Sequence, residues 1–401
     1  MEGGISEETL AFRLESRVDS SNAGKVEQDL KHAIERSDAA HVRLDASELD
    51  YISSAGLRAI MRILKSGKEV SVVEASAGVY DIFDTTGFTS FMDVRRAPKQ
   101  IDTTGLQQIG AGAFGRVFRI DSERVAKLYD ARVYSTEKVE IEREVARKAF
   151  IHDIPSAIPF ETVRSRSTNE YGVIYELVDA RTIGEVVATN PQECEAWATR
   201  MAQLATKLHT TTFEDGVLPD ARLIFHQWVD RAEAGGIYDP SIIAQLREFV
   251  DTIPVAQTFV HGDLHPANIM VVSNDELVLI DMGDAAQGHP VIDLAGAYHV
   301  MRVAARRPGG AERLCGMPLE LLDRFWATFV RTYFCEDNEQ RIAQLERALA
   351  FAALPRTMGS NARSKLIDDQ QRRRKAVELE QRFLAGCDSL RWESLVPSNQ
   401  P

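Results

Sequence analysis

The 401-residue sequence has few cysteines and no long uninterrupted apolar run. Its four cysteines are far apart and form neither a Cys-x-x-Cys motif nor a Cys/His cluster, so neither a disulfide framework nor a zinc site is indicated. No stretch reaches the roughly 18 apolar residues typical of a transmembrane helix. The beginning of the chain also lacks a basic region followed by an apolar one. We therefore expect a cytoplasmic protein with no membrane partner.

Positive charge is also in short supply. The chain has 47 basic and 60 acidic residues, which gives a formal net charge of −13. Binding to nucleic acid depends on a broad basic surface, which this balance does not favour. The local basic run at 372–375 is flanked by acidic residues and predicts a solvated helix face. No nucleic-acid partner is expected.

The length and the hydrophobic patterns predict more than one domain. Over roughly the first 95 residues, strand patterns such as "HVRLD" and "EVSVVEA" alternate with helical ones, which predicts a mixed sheet with helices packed on it. A polar stretch with proline and glycine follows, then a strand-rich segment with one helix, and then a mostly helical segment. The predicted divisions are an N-terminal α/β domain at 1–97, a linker at 98–105, a small sheet lobe at 106–178, a helical lobe at 179–390 and a tail at 391–401.

A glycine-rich turn opens the second domain. In "IGAGAFGRVFRI", Gly110, Gly112, Gly115 and Val117 fit the G-x-G-x-x-G-x-V pattern, in which backbone amides approach nucleotide phosphates. Taken alone, the same residues are equally consistent with an ordinary glycine-rich hairpin. Lys127 follows twelve residues after Gly115 at the end of an apolar strand, where its ammonium group could hold nucleotide phosphates.

The next helix supplies candidate partners for this lysine. It has three glutamates at alternate positions, Glu140, Glu142 and Glu144. One of them could pair with Lys127, and the phase of the helix favours Glu144. The strand in "VIYELVDARTI" would then end the small lobe, and the backbone from Glu176 to Val178 could bind an adenine edge.

The most specific pattern is "HGDLHPANIM" followed by "LVLIDMGD". Asp263 and Asn268 are five residues apart, as in the loop where the aspartate positions or deprotonates the acceptor hydroxyl and the asparagine binds magnesium. Asp281 follows an apolar strand, at the place of a second magnesium ligand. A base, two oxygen ligands and a lysine are nearly all that phosphoryl transfer requires, so ATP and Mg2+ are the expected cofactors.

Two histidines beside Asp263 raise the alternative of zinc. His261 and His265 have the spacing of a metal-binding helix, but a glycine and a proline between and beside them make a helix implausible there. We interpret His261 as a residue that orders the loop. Asp293 is interpreted as a buried carboxylate near a helix start that braces the same loop.

These motifs, spread over about 105–385, resemble the aminoglycoside phosphotransferase and choline kinase group of the protein-kinase-like fold. The resemblance implies a bilobal fold and ATP-dependent phosphoryl transfer to a hydroxyl group. The sequence departs from regulated protein kinases at Gly262, where they have arginine, and at Met282-Gly283. Only eleven residues separate Asp281 from Asp293, too few for a long peptide-binding segment. A small-molecule hydroxyl acceptor is therefore expected.

The segment "LDASELDYISSAGLRAIMRILK" resembles a STAS domain of the anti-sigma factor antagonist type, over about residues 5–95. In that family the serine two positions before the glycine is phosphorylated by a partner kinase, which implies Ser54 here. A phosphate is well placed at a helix N-terminus because free amides and the helix dipole favour it. Ser53 stands where the family often has aspartate, and a simple helix cap by either serine is the alternative. The resemblance also implies an anti-sigma-factor-like partner.

Three functional hypotheses follow. The first is an ATP- and magnesium-dependent phosphotransferase fused to a regulatory STAS domain. The second keeps the enzyme but makes Ser54 its acceptor, in cis or on another STAS protein. The third is a partner-switching regulator in which the kinase-like domain only senses nucleotide; it is disfavoured because Lys127, Asp263, Asn268 and Asp281 are all present.

Overall fold

The computed structural model describes residues 9–37, 39–111, 115–131, 134–272, 276–364 and 368–396. The chain divides into two compact units, 1–102 and 103–401. Each unit has a hydrophobic core made of its own residues. Across the described ranges, no helix combines the length and the apolar character needed to cross a membrane.

The first unit is an α/β sandwich of a sheet and helices. Its elements are β1 (Thr9–Arg13), β2 (Arg17–Val18), α1 (Ala23–Glu35), β3 (His41–Asp45), β4 (Tyr51–Ile52), α2 (Ser54–Leu64), β5 (Glu69–Ala75), α3 (Ala77–Thr85), β6 (Asp93–Arg96) and β7 (Lys99–Ile101). The main sheet has the order β1-β3-β5-β6. Strand β7 lies within the segment predicted as a linker.

The strand directions in this sheet differ from the prediction. A mixed sheet was expected, but β1, β3, β5 and β6 pair in parallel throughout. The reason is that a helix lies between each of these strands and the next, and a helical crossover returns the chain to the same end of the sheet. Alternate residues of β3 and β5, such as Leu44 and Val72, are fully buried in the core.

The second unit begins with an antiparallel sheet and one helix. Its elements are β8 (Gln108–Ala111), β9 (Gly115–Arg119), β10 (Arg124–Tyr129), α4 (Thr136–Ile151), β11 (Pro159–Ser165) and β12 (Tyr171–Glu176). The strands lie in the order β11-β12-β10-β9-β8. In this register Lys127 is opposite Val117 on one side and Val173 on the other. Ser135 caps α4, because its hydroxyl accepts a hydrogen bond from the Lys138 amide.

The rest of the unit is mainly helical. The helices are α5 (Ile183–Thr189), α6 (Cys194–Thr210), α7 (Arg222–Ala234), α8 (Pro240–Asp251), α9 (Val291–Tyr298), α10 (Gly310–Cys315), α11 (Leu319–Phe334), α12 (Glu339–Ala352), α13 (Leu354–Ala362) and α14 (Asp369–Leu384). Helices α7 and α13 approach very closely. A Cβ atom on Gly359 would lie 2.3 Å from the carbonyl oxygen of Trp228, so glycine is needed at this crossing.

Short strands hold the loops that carry the predicted site. They are β13 (Arg181–Thr182), β14 (Phe259–Val260), β15 (Ile269–Val271), β16 (Leu277–Leu279) and β17 (Ala286–Gln287). β14 pairs with β17, and β15 pairs with β13 and β16, all antiparallel. The loop 261–268 therefore connects β14 to β15, each of which is held by pairing with another strand. The segment 280–285 connects β16 to β17.

Candidate active site

Asp293 organises the start of the loop 261–268. It lies in the first turn of α9 and is fully buried. Its two oxygens accept hydrogen bonds from the backbone amides of His261 and Gly262, at 2.8 and 2.6 Å. His209 lies 3.1 Å away through Nε2 and also contacts the hydroxyl of Tyr333 at 2.7 Å. The buried carboxylate thus fixes two consecutive peptide units of the loop, which is the position predicted for it.

Gly262 is required by the shape of the loop. Its φ of +80° lies in the left-handed region, and a Cβ atom there would be 2.3 Å from the carbonyl oxygen of Asp284. There is no room for a side chain in that space. This is a physical reason why the chain lacks the arginine that regulated protein kinases have at this position.

Asp263 lies beside a buried arginine, Arg356, that no sequence motif predicts. Nη2 of Arg356 is 2.5 Å from Oδ1 of Asp263, and Nη1 donates to the carbonyl oxygen of Gly262 at 3.1 Å. Nε2 of His265 is 3.5 Å from the other carboxylate oxygen. Burial alone would raise the pKa of Asp263, but the charges of Arg356 and His265 outweigh it and hold that pKa well below its usual range. Asp263 is therefore ionised at neutral pH.

Asn268 is tied to the same aspartate. Its Nδ2 donates to the backbone oxygen of Asp263 at 2.9 Å and lies 3.4 Å from the side-chain Oδ2. Because the amide nitrogen is used in these contacts, its carbonyl oxygen is the atom left to act as a ligand.

Lys127 links the small sheet to Asp281. Its Nζ is 2.6 Å from Oδ1 of Asp281 and 3.1 Å from Oε1 of Glu142. Asp281 has a φ of +62°, an uncommon backbone conformation for a non-glycine residue and one that recurs at functional sites. Burial would lower the pKa of Lys127, but the carboxylates of Glu142 and Asp281 raise it well above its usual range, so the ammonium form persists.

Glu142, rather than the predicted Glu144, is the partner of Lys127. Its Oε1 also accepts hydrogen bonds from the hydroxyls of Tyr129 and Tyr175. Glu144 instead pairs with Arg147 at 2.6 Å on a partly exposed face. The prediction of Glu144 was wrong because of helix phase.

The correct phase was present in the sequence of α4. The buried positions of this helix are Val139, Glu142, Val145, Ala146 and Ala149. Position 142 thus falls three or four residues from buried apolar neighbours on each side, the spacing of one helix face. A glutamate within such a stripe is the one that faces the sheet.

A cavity of about 270 Å³ lies between the small sheet and the short strands. Its lining residues are mainly apolar and include four predicted nucleotide-binding residues, Val117, Lys127, Glu176 and Val178, together with Asp281. Such a cavity suits a ligand that has a planar apolar part inside the cavity and a charged part near the lysine.

The glycines of the predicted phosphate loop have different surroundings. Gly110 pairs with Val117 across β8 and β9. A Cβ atom on Gly115 would be 2.6 Å from the carbonyl oxygen of Leu128, so close strand packing requires this glycine. Gly112 lies outside the described residues.

The oxygen donors of the site suit magnesium better than zinc. Asp281 offers a carboxylate and Asn268 an amide oxygen, and Mg2+ usually takes one or two such ligands together with phosphate oxygens. In the part of the chain that the structure describes, no group of three or more His, Cys, Asp or Glu residues could hold a metal ion. His261 contacts the carbonyl oxygen of Ile280 at 3.0 Å through Nε2, which supports its interpretation as a loop-ordering residue.

Ser53 and Ser54, the two candidate serines at the start of α2, have different surroundings. Ser53 is the N-cap of α2, and its hydroxyl accepts a hydrogen bond from the Ala55 amide at 3.2 Å. Ser54 is the first helical residue and is exposed. Gly56 is packed tightly, since a Cβ atom there would be 2.7 Å from the Ile52 side chain.

Together, the small antiparallel sheet, the helical part and the two loops that carry Asp263 and Asp281 define a phosphotransferase of the protein-kinase-like class. The chain belongs to the phosphotransferase enzyme family, whose model matches residues 105–345. The STAS domain model matches residues 4–104. The resemblances stated from the sequence are thereby confirmed for both parts of the chain.

Individual proteins are similar to parts of this chain. BtrV of Bordetella bronchiseptica, named as an anti-sigma factor antagonist, is 34% identical over 85 residues, which cover 20% of this chain and 72% of that protein. The ADP-bound aminoglycoside phosphotransferase APH(2'')-Ib is 14% identical with a TM-score of 0.44, covering 79% of this chain and 99% of that one. Amicoumacin kinase hAmiN, in complex with AMP-PNP, Ca2+ and Ami, is 13% identical with a TM-score of 0.49, covering 75% and 94%.

Proposed function

We propose that this protein transfers the γ-phosphoryl group of ATP to a hydroxyl acceptor with the help of Mg2+. The observation that supports the proposal is that the group of Lys127, Glu142 and Asp281 lies next to the loop that carries Asp263 and Asn268. The two segments are joined by a hydrogen bond of 3.0 Å from the amide of Ile280 to the backbone oxygen of Asn268. These residues come from the sheet, one helix and two loops, and their convergence assembles a lysine, an ionised base and two oxygen donors. The acceptor is proposed to be a small molecule, and the reaction to take place in the cytoplasm.

In the proposed reaction, the acceptor oxygen forms a bond to the γ-phosphorus as the bond from that phosphorus to the bridging oxygen of ADP breaks. The proton of the hydroxyl passes to the carboxylate of Asp263. With its low pKa, Asp263 is a weak base, which suits a loose transition state where the proton leaves late. Lys127, held by Glu142, would bind the phosphates that remain on ADP.

The magnesium ion would be held by Asn268 and Asp281, and when bound it neutralises phosphate charge. The nucleotide base is assigned to the cavity beside Glu176 and Val178. The residues of this chain then act mainly by position and charge, because phosphoryl transfer of this kind needs little covalent help from the protein.

The test is the rate of ADP formation with Mg-ATP and a panel of hydroxyl compounds. Asp263→Asn is expected to lower kcat by about 10²–10⁴, the usual range for loss of a positioned base. Binding of Mg-ADP, measured by calorimetry, should be retained. The control is Asp215→Asn, at an exposed acid that accepts a hydrogen bond from Gln257, and it should keep full activity. Unchanged turnover in the Asp263→Asn variant would contradict the proposal.

A second function is favoured by Ser54. Since Ser53 is occupied as the helix cap, Ser54 is the hydroxyl left exposed at the start of α2. We propose that it is a phosphoacceptor, in cis or in trans, and that its phosphorylation controls binding of an anti-sigma-factor-like partner.

Mass spectrometry after incubation with Mg-ATP distinguishes the two functions. Phosphate on Ser54 that is lost in the Ser54→Ala and Asp263→Asn variants, but kept in Ser53→Ala, would make the protein its own substrate. If Ser54 stays unmodified while a small molecule is phosphorylated, the small-molecule function stands alone and any kinase for Ser54 is a different protein.

A further inference from the structure

One side chain of α13, that of Arg356, contacts the loop that carries the proposed base at two points. Its Nη2 is 2.5 Å from Oδ1 of Asp263, and its Nη1 donates a hydrogen bond to the carbonyl oxygen of Gly262 at 3.1 Å. The guanidinium group is planar and rigid, so it fixes the carboxylate relative to the peptide that precedes it. Arg356 is only 6% exposed, and the contact is therefore shielded from water.

The peptide groups of Gly262 are held from two sides. Its amide donates to Oδ1 of Asp293 in α9 at 2.6 Å, and its carbonyl oxygen accepts from Arg356 in α13. Side chains from two different helices thus bind both backbone groups of this residue. The place of Asp263, the next residue, is set by these contacts and by its own bond to Arg356.

The guanidinium group of Arg356 is itself held by its surroundings. It lies 5.3 Å from the centre of the Trp228 ring in α7. A Cβ atom on Gly296 in α9 would be 2.9 Å from Nη1, so this glycine leaves the room that the guanidinium group needs. The next residue of α13, Thr357, contacts Nδ1 of His299 at 2.9 Å. A side chain supported in this way can position another one accurately.

The two carboxylate oxygens of Asp263 have different contacts as a result. Oδ1 is bound by Arg356 in a short, charge-assisted hydrogen bond. Within the described residues, the side-chain contacts of Oδ2 are long, at 3.4 Å to Nδ2 of Asn268 and 3.5 Å to Nε2 of His265. Both distances exceed that of an ordinary hydrogen bond, so Oδ2 is the oxygen that can still accept a short one.

A simple counter-charge for Asp263 is the alternative explanation of Arg356. A lysine would supply the same charge, but it could not bind a carboxylate and a carbonyl oxygen in one fixed plane. A buried guanidinium group is also costly to desolvate, and its Nε has no hydrogen-bond partner in the part of the chain that the structure describes. The two-point contact is therefore the property that distinguishes arginine from another cation here.

We infer that Arg356 is a positioning residue for the proposed reaction. By holding Oδ1 and the Gly262 carbonyl, it presents Oδ2 of Asp263 to the acceptor hydroxyl. Oδ2 then receives the hydroxyl proton while the acceptor oxygen bonds to the γ-phosphorus and ADP leaves. This inference rests on the proposed phosphotransferase function. Arg356 is not among the described residues that line the nucleotide cavity, so its effect belongs to the transfer step rather than to nucleotide binding.

The first experiment measures ADP formation from Mg-ATP with water as the acceptor, because a group that positions a hydroxyl can also position water. Arg356→Lys keeps the charge and loses the two-point contact. Its kcat should fall by about ten- to a hundredfold, as expected for a misplaced reacting group, while the KM for ATP stays within about twofold. The matched control is Arg324→Lys, at an exposed arginine paired with Glu195, and it should keep the wild-type rate.

Chemical rescue of Arg356→Ala separates the position of the guanidinium group from its charge. Millimolar guanidinium chloride, far below denaturing concentrations, should raise the rate of this variant by about tenfold or more, as expected for a charged hydrogen bond. Methylammonium chloride at the same concentration supplies a cation of a different shape and should not raise the rate. A variant that is inactive only because it is misfolded would not distinguish the two cations.

A double-variant cycle tests the contact without any turnover. Free energies of unfolding are measured for Arg356→Gln, for Asp263→Asn and for the protein with both changes. Each single change leaves a buried polar group without its partner, whereas the double change removes both members of the pair. The double variant should therefore be less destabilised than the two single effects added together.

Three results would overturn the inference: an unchanged rate in Arg356→Lys, equal rescue by the two cations, or additive effects in the cycle. Failure of the proposed function is a different outcome, in which the wild type neither binds Mg-ADP in calorimetry nor forms ADP. If Asp263→Asn lowers the rate and Arg356→Lys does not, the proposed function stands and only the role of Arg356 is rejected.

Discussion

Two glutamates of α4 that are two residues apart in sequence, Glu142 and Glu144, have different roles. Glu142 is buried, pairs with Lys127 and accepts hydrogen bonds from two tyrosine hydroxyls, whereas Glu144 pairs with Arg147 near the surface. Glu142→Gln removes the charge that fixes the lysine and should lower kcat/KM for ATP by about ten- to a hundredfold, as expected for a charged hydrogen bond. Steady-state kinetics with varied ATP measure this. The matched Glu144→Gln variant should stay within about twofold, and equal effects of both would contradict the assignment.

Asp284 is a second residue whose behaviour can be tested. Burial first and then the charge of Asp263 raise its pKa from 3.8 to about 6, although Arg356 and Arg231 oppose this. The folded protein therefore holds a proton here more tightly than the unfolded chain, so this group's contribution to the free energy of unfolding falls as the pH rises from about 4 to about 6.

The Asp284→Asn variant lacks this penalty. Its free energy of unfolding, measured by denaturant titration, should rise relative to the wild type across that pH range by about 3 kcal/mol. Above about pH 7 the difference should be constant. A difference that stays flat from acid to neutral pH would show that Asp284 titrates normally.

Residues such as Asp263, Asn268 and Asp281 could be found from sequence because they lie within one short spaced pattern. Arg356 could not, since it lies 93 residues after Asp263 and no motif surrounds it. Only the packing of α13 against the loop brings it there. Long-range contacts that pair single side chains leave no periodic signal in a sequence.

At the scale of elements, the loop 261–268 depends on a glycine held in a close contact. Gly262→Ala combines a φ of +80° with a Cβ atom 2.3 Å from the Asp284 oxygen. Gly216 is a matched control, because its φ is +73° but nothing lies within 4 Å of a Cβ atom there. The left-handed conformation alone costs about 1 kcal/mol, so Gly216→Ala should lose about that much stability.

Gly262→Ala should lose more, about 2–4 kcal/mol, because the backbone of Asp284 must also move. The free energy of unfolding from denaturant titration gives both values. Turnover should fall only in the Gly262 variant, since the movement displaces Asp263. Equal losses at the two positions would mean that the loop relaxes without strain.

The regular elements were predicted well where the pattern was long or strictly alternating. Strands β3 and β5 have the limits of "HVRLD" and "EVSVVEA", and α4 is the one helix predicted within the strand-rich segment. The short strands β13 to β17 have only two or three residues each, too few to show a period. Strand direction was also missed, because it depends on the connections between strands rather than on their own residues.

At the scale of the whole molecule, the two units have separate cores. We expect two unfolding transitions in calorimetry. A ligand stabilises the folded state that binds it by RT ln(1 + [L]/Kd), about 2.7 kcal/mol at a hundred times Kd. Mg-ADP should therefore raise the Tm of the transition of unit 103–401 and leave that of unit 1–102 in place. The Val72→Ala variant, with its change in the core of the first unit, should lower only the Tm of the transition of unit 1–102, and this identifies the two transitions. A single transition whose Tm is shifted both by Mg-ADP and by Val72→Ala would contradict the prediction.

The hydrogen bonds around Glu142 have a consequence for control of the enzyme. In regulated protein kinases, activity depends on whether a mobile helix brings its glutamate to the lysine. Here Tyr129 and Tyr175 hold the Glu142 carboxylate to the sheet even when Lys127 turns toward a nucleotide. Helix α4 is thus held to the sheet by contacts that do not depend on the lysine. An input that acts by moving α4 would therefore have to break both tyrosine hydrogen bonds as well as the contact with Lys127.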